Sequence, residues 1–340
     1  MIFGPRLIAL LLSVSVAPVA ANPVTFVERS PADPAQIDVL VDQSQLSGKL
    51  SQIDLSDLIE AGRRLFDTKF TNADGAGRPS ATQATIPTHF KHARDVAFQR
   101  ASGPDANACT SCHNNPASGG AGDFTVNAFT SGGTESADFD NVDPQFSNER
   151  GTNHMFGSGL MELLAREMSA DLLALRKAAF AEARAGKTVA VALHSKGVSF
   201  GTLTIHPDGR MDVSKLEGID ADLIIRPFSQ KGVIPSLRMF TLNALNAHHG
   251  MQADERFAKA MTGEADFDGD GYIDELNTGA VSALVAYQAT LEAPVPVLFD
   301  KPAWQEMADQ GKTLFATTGC ASCHVPSLPL RSMTFSDPPL

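Results

Sequence analysis

Apolar and polar positions recur along this chain with two different periods, and the change of period divides it. Leu55, Leu58, Ile59, Gly62, Leu65 and Phe66 fall at the three-to-four-residue spacing that puts them on one helix face. Trp304, Met307, Ala308, Gly311, Leu314 and Phe315 repeat that pattern near the other end. Asp300-Lys301-Pro302 supplies a start for this later helix, because proline in a first turn lacks only an N–H that has no partner there. Gly159 to Gly186 predicts a pair of helices, split at Ser169-Ala170-Asp171, whose side chains can cap the second. Thr188 to Ile219 switches to alternation through Val189, Val191, Leu193, Phe200, Leu203 and Ile205, with turn residues at Pro207-Asp208-Gly209. From Ser236 the helical spacing returns through Leu237, Phe240, Leu242 and Leu245. The fold class expected from these periods is mainly α, with a small β-hairpin insertion at about 188–219.

The first residues follow a different logic. One basic residue, Arg6, precedes an apolar run from Leu7 to Val19 and a small-residue exit at Val19-Ala20-Ala21. That order predicts a secretory signal peptide over residues 1–21, cleaved near Ala21. The apolar run falls short of the roughly 20 residues a membrane span needs, and no later segment reads as one. No cysteine follows the leader to take a lipid. Export to the periplasm as a soluble chain without a membrane span is the expectation. Residues 22–50, rich in Pro, Asp, Gln and Ser, read as a flexible lead-in.

Composition narrows the function classes. A chain of 340 residues with 43% hydrophobic positions can bury a core of about two domains, which excludes disorder throughout. A net charge of -12 argues against a nucleic-acid partner, because phosphates are neutralised by clustered Lys and Arg.

All four cysteines sit in two short motifs, Cys109-Thr110-Ser111-Cys112-His113 and Cys320-Ala321-Ser322-Cys323-His324. Cys-x-x-Cys-His is the attachment motif of c-type haem: two thiols add to the two vinyl groups, and the His falls beneath the iron as proximal ligand. A zinc site has no need of a His after each cysteine pair, and neither does a redox dithiol. A disulfide across two residues would close a strained loop. Two covalent haems are therefore expected, with His113 and His324 as iron ligands. A shared Gly-x-x-Leu-Phe, Gly62 to Phe66 and Gly311 to Phe315, precedes each motif and marks a weak internal repeat.

The sixth position on each iron separates an electron carrier from an enzyme, since only an open or weakly held site admits peroxide or oxygen. Distal candidates are His248, His249 and Met251 in one cluster and His154 with Met155 in another. His89 and His92 read as solvated groups or propionate partners, and His194 and His206 as structural. Peroxide cleavage also needs a proton carrier and a group that stabilises separating charge. Glu149, Arg150 and Glu162 are the catalytic candidates, with ordinary ion-pair roles as the alternative. Trp304, the sole tryptophan, reads as a core anchor or an electron relay.

Asp266, Asp268 and Asp270 occupy positions 1, 3 and 5 of an EF-hand-like loop spanning 266–277, with Gly271 at 6 and the Tyr272 carbonyl at 7. Position 12 is Asn277 rather than Glu, which leaves Asp274 or Glu275 to close a calcium site; a solvated acidic turn is the alternative.

With these two haem motifs the chain resembles the di-haem oxidoreductase family, related to the bacterial di-haem cytochrome c peroxidases. The resemblance runs from about Gly62 onward and includes Gly157-Ser158-Gly159-Leu160-Met161-Glu162, Arg226-Pro227-Phe228, Lys231-Gly232, Ser236-Leu237-Arg238 and His248-His249-Gly250-Met251-Gln252. It implies two cytochrome c-like haem domains, one haem taking in electrons and the other meeting substrate, and calcium in some members. The implied division is a first haem c domain at 51–158, a connecting region at 159–300 and the start of a second haem c domain at 301–340. No closing helix is legible in that last stretch, which reads as truncated. The expected function is electron transfer with hydrogen peroxide reduction at one haem, fed by a small redox protein. Rival readings are a non-enzymatic carrier with both irons six-coordinate and a haem-dependent oxygenase acting with oxygen.

Overall fold

Val24 and Val41, buried and directly opposed, open the fold: β1 (Val24–Phe26) pairs antiparallel with β2 (Val39–Val41). In this computed structural model residues 22–48, 50–76, 107–123, 125–130, 147–229, 232–295 and 300–337 are described. The expected leader, His89, His92 and Lys231 lie outside them. Helix α1 (Gln52–Asp67) starts where the Ser51 hydroxyl accepts from the Asp54 N–H at 3.1 Å. Its face of Leu58, Ala61, Gly62, Leu65 and Phe66 is buried. After the first cysteine motif, β3 (Thr125–Thr130) and β4 (Ser147–Gly151) pair antiparallel. Helix α2 (Ser158–Ala183) leads into an antiparallel sheet of β5 (Val189–Ser195), β6 (Val198–Ile205) and β7 (Met211–Leu216). Then follow α3 (Leu237–Ala244), the single turns α4 (Asp254–Phe257) and α5 (Lys259–Thr262), α6 (Thr278–Thr290) and α7 (Pro302–Thr317).

Helix α6 is apolar on every side, the mark of a helix surrounded by protein. Helix α1 crosses it at Gly62, where an added Cβ would lie 1.9 Å from the Ala283 carbonyl oxygen and 2.8 Å from Tyr287 Cβ. Helix α2 reaches it at Gly159, where a Cβ would lie 2.2 Å from the Ala289 oxygen. Only glycine permits either approach. A second cluster joins Met168, Leu172, Ala179 and Ala183 of α2 to Leu193, Leu203 and Ile205 of the sheet. No helix among the described residues is long and apolar enough to cross a membrane.

Several expectations are corrected here. The fold is mixed α/β, 41% helix and 14% strand, and not the mainly α arrangement of two cytochrome c-like haem domains with one hairpin. Three-residue strands carry no legible period, so β1 and β2 were hidden within the segment read as a flexible lead-in; their valines join the core around α6. The 159–186 region is one helix and not two. Ser169 does not cap: its hydroxyl donates to the Ala165 carbonyl at 2.7 Å and accepts from the Ile225 N–H at 2.9 Å. Around the second cysteine motif no domain-like core is described: α7 buries none of its residues, and Trp304 is 50% exposed beneath the Lys301 ammonium.

Beyond that motif the chain returns to the body. Leu328 packs on the second cluster and Phe335 on the first. Arg331 bonds Asp171 at 2.7 Å, and its N–H donates to Glu167 at 2.8 Å. Asp337 pairs with buried Arg238, which also holds Glu255. Burial pushes the Asp337 carboxyl up to about 6 in spite of that guanidinium.

Two outcomes follow from these contacts. Gly62→Ala should lower the unfolding free energy by about 1–3 kcal/mol through overpacking. Gly311→Ala, at the matching place in the repeat but with nothing within 4 Å, should be neutral or stabilising by up to about 1 kcal/mol. Denaturant titration of both variants checks the contrast. For Asp337, a raised folded pKa means the native state keeps a proton that the unfolded chain has released. Its stabilising contribution is complete below the ordinary 3.8 and is lost as pH rises through about 6. Asp337→Asn should therefore flatten the pH dependence of the denaturation midpoint between those values.

Candidate functional site

The first cysteine motif is built against the end of α1. Where the chain returns, the Asn107 carbonyl accepts from the Phe70 N–H at 2.9 Å. Cys109–Ser111 then forms one tight turn, and the N–H groups of Cys112 and His113 both donate to the Cys109 carbonyl, at 3.2 and 2.9 Å. Cys109, Cys112 and His113 thereby line one cavity, together with Phe66, Phe240 and Leu284. The His113 Nδ1 meets the Gly120 carbonyl at 3.3 Å, which assigns the proton to Nδ1 and the lone pair to Nε2. Burial holds the His113 ring below the usual imidazole range, with backbone groups of Gly120 and Asn153 opposing the shift. A neutral ring with a fixed tautomer is the form that ligates a metal.

A second wall comes from the end of α3, which widens into a π turn at Leu245–His249, closed by the Gly250 N–H on the Leu245 carbonyl. Such turns occur mostly at functional sites because they re-aim side chains. This one brings His248 to the same cavity as His113. Burial pushes the His248 ring down to about 4, and His113 adds to the shift. His249 lines this cavity as well, buried beside Cys109, with its Nε2 3.5 Å from Cys109 Sγ and its ring 5.6 Å from that of Phe70. Met155 lines the cavity as well, its N–H held by the Gly119 carbonyl at 2.8 Å. An adjoining cleft shares His113, Met155 and His248 and extends past His154, which is exposed and stacked on Phe156. Met251 is 0% exposed in the α1–α6 core and lines neither cavity.

The catalytic candidates separate. Arg150 lines both cavities from β4. Glu149 pairs with Asn127 in the β3–β4 ladder, and its side chain lies outside the described residues. Glu162 is buried 1% exposed, pairs with Arg166 and accepts the Leu237 N–H at 2.7 Å. It therefore anchors the first turn of α3 and is absent from the lining of either cavity.

The thiols discriminate between the alternatives. Burial pushes Cys109 up to about 12 and raises Cys112, the reverse of the acidified thiol of a redox dithiol. All four cysteines are free thiols. Among the described residues the only three metal-donor side chains that converge are Asp266, Asp268 and Asp270, so the thiols and imidazoles do not gather into a zinc-type tetrahedron. The apolar walls and this donor set are those that a c-type haem held by Cys109, Cys112 and His113 would need.

The second motif repeats the local geometry. Cys323 and His324 donate to the Cys320 carbonyl at 3.2 and 2.9 Å, the same distances as in the first. Phe315 stands 6.0 Å from the His324 ring as Phe66 stands 6.3 Å from His113. The weak Gly-x-x-Leu-Phe repeat thus places the same aromatic beside the same histidine twice. Cys320, Cys323 and His324 are all exposed. Gly120, Phe240, Leu284 and Gln288 were not legible as site residues, because nothing marks a carbonyl acceptor or a cavity wall in sequence.

In the acidic loop, Asp266, Asp268 and Asp270 bring carboxylate oxygens within 4.8 Å of one another. Tyr272 and Asp274 are exposed, Asp274 with φ of 54°. Asn277 accepts the Ala280 N–H at 2.8 Å and caps α6.

Glu162→Ala should lower unfolding free energy by about 2–3 kcal/mol, less than for a fully enclosed pair because Arg166 is partly exposed. The visible absorption spectrum of the purified holoprotein should not change, which distinguishes an anchor from a group at the reacting centre. Comparison with protein-family models, curated proteins and solved structures finds no match to this chain.

Proposed function

We propose that the protein is an exported di-haem c-type oxidoreductase whose first haem is an electron-transfer centre held between His113 and His248. The observation that carries this reading is one largely apolar cavity lined by both cysteines of the first motif and by the imidazoles of His113, His248 and His249, of which His249 stands beside Cys109. Cys109 and Cys112 would take the two thioether bonds, and His113 would ligate through Nε2 while Gly120 holds Nδ1. His248 enters neutral from the opposite element. Bound haem would supply reversible one-electron chemistry. The residues of the chain hold the two imidazoles in place and exclude water with Phe66, Phe240 and Leu284, which favours a low-spin, six-coordinate centre.

A second reading, peroxide reduction at the other haem, is favoured by the exposure of Cys320, Cys323 and His324, which leaves that attachment point open to small solutes. Arg150, at the edge of the first cavity, is then a group for docking or propionates rather than for charge stabilisation at the reacting oxygen. The net charge of -12 suits a small basic redox protein as partner, with association that weakens as salt rises.

Holoprotein matured outside the cytoplasm should carry two covalent haems by mass, and Cys109→Ser with Cys112→Ser should carry one. Low-temperature EPR of the oxidised protein should show a low-spin ferric centre that His248→Ala converts to high spin and His249→Ala does not. Persistence of that low-spin signal in His248→Ala would overturn the ligand assignment. A peroxide-sensitive high-spin signal in the parent, oxidised or half-reduced, separates the enzyme from the pure carrier.

A further inference from the structure

Two adjacent histidines meet different atoms of the first motif. The π turn at Leu245–His249 inclines the His248 and His249 rings by 65°, with their centroids 6.5 Å apart. His249 is 4% exposed, and its Nε2 stands 3.5 Å from Cys109 Sγ. Phe70, 5.6 Å away between ring centres, backs the imidazole. The same phenylalanine donates its N–H to the Asn107 carbonyl at 2.9 Å, so the chain leading to Cys109 is tied to the residue that backs His249.

Burial pushes the Cys109 thiol up to about 12, so its sulfur keeps the proton. A neutral thiol is a weak donor whose direction is set by the acceptor it meets. With Nε2 as that acceptor, the S–H is aimed at the ring and the sulfur lone pairs are left for the cavity that Cys109 lines. The second motif has a counterpart. Thr318 Oγ1 stands 3.5 Å from Cys320 Sγ and donates its own proton to the Leu314 carbonyl at 2.7 Å, so toward the sulfur it is an acceptor. An acceptor at the same distance thus meets the first cysteine of each pair, from a remote element in one motif and from the preceding turn in the other.

We propose that His249 is a positioning residue for covalent attachment at Cys109, holding its thiol in line for one vinyl group of the haem. This rests on the haem reading given above and gives His249 a role apart from iron ligation. In the step it serves, the Cys109 sulfur bonds to the inner vinyl carbon and the thiol proton ends on the outer carbon. No atom leaves and no oxidant enters.

The test uses the full chain matured outside the cytoplasm, then unfolded and treated with iodoacetamide, which marks only cysteines without a thioether. His249→Leu, which removes the acceptor, should raise the marked fraction of Cys109 at least about tenfold over the parent, the scale on which misplaced reacting groups lose rate. His249→Gln keeps an acceptor and should return that fraction toward the parent level. Cys320 and Cys323 should stay unmarked in all three proteins, which separates a local defect from failed maturation. The pyridine haemochrome band of His249→Leu should move to longer wavelength, because an unreacted vinyl extends the conjugated ring. Infrared spectra of the haem-free full chain give a readout that needs neither attachment nor a variant of His249. The S–H stretch of Cys109, identified by its loss in Cys109→Ser, should lie at lower frequency in the folded chain than in urea. A parent with all four cysteines marked would sink the haem reading itself. Haem-bearing His249→Leu with Cys109 fully bonded, or an S–H stretch that folding leaves unshifted, would overturn the positioning role.

Discussion

The backbone contact of α1 with α6 at Gly62 is the constraint on which the rest depends. Close approach of two helices removes water from both and lets Phe66, one turn on, reach Tyr287 at 5.3 Å and His113 at 6.3 Å. Tyr287 in turn donates to Ser118 at 2.9 Å, and Ser118 donates to Asp67 at 3.0 Å, so the loop after the cysteine motif is pinned to the same crossing. Helix α2 meets α6 further along, at Ala289, through Gly159. Position of the attachment turn is thus set by dense packing rather than by hydrogen bonds of its own, and dense packing transmits small displacements.

Charge is partitioned across the His248–Gln252 segment. On one side burial works against charge, raising the thiols of Cys109 and Cys112 and lowering the imidazoles of His113 and His248. On the other side the carboxylates of Asp266, Asp268 and Asp270 crowd together. Low dielectric makes both arrangements expensive for the wrong charge. A short π turn is the partition between them.

Legibility in sequence followed the length scale of each signal. Helices α1 and α7 each extend over sixteen residues, long enough for a helical period to stand out. Three-residue strands such as Val24–Phe26 are too short for any period, and Ser169 misled because a hydroxyl that caps can also bond backward within a helix. The two cysteine motifs stood out because covalent haem attachment, the chemistry proposed for them, dictates such a spacing. His248 was legible only as a member of a cluster, since the turn that separates it from His249 and Met251 is a property of backbone geometry.

The returning strap at 328–337 gives the second motif a fixed tether. Only four peptide units separate His324 from Leu328, which is packed on the α2 cluster, so the two backbones stay within about 14 Å of each other. A group attached at His324 therefore meets the rest of the molecule at an effective concentration set by chain length, not by how much protein is in solution. Traffic between the second attachment point and the body is first-order, and dilution does not slow it.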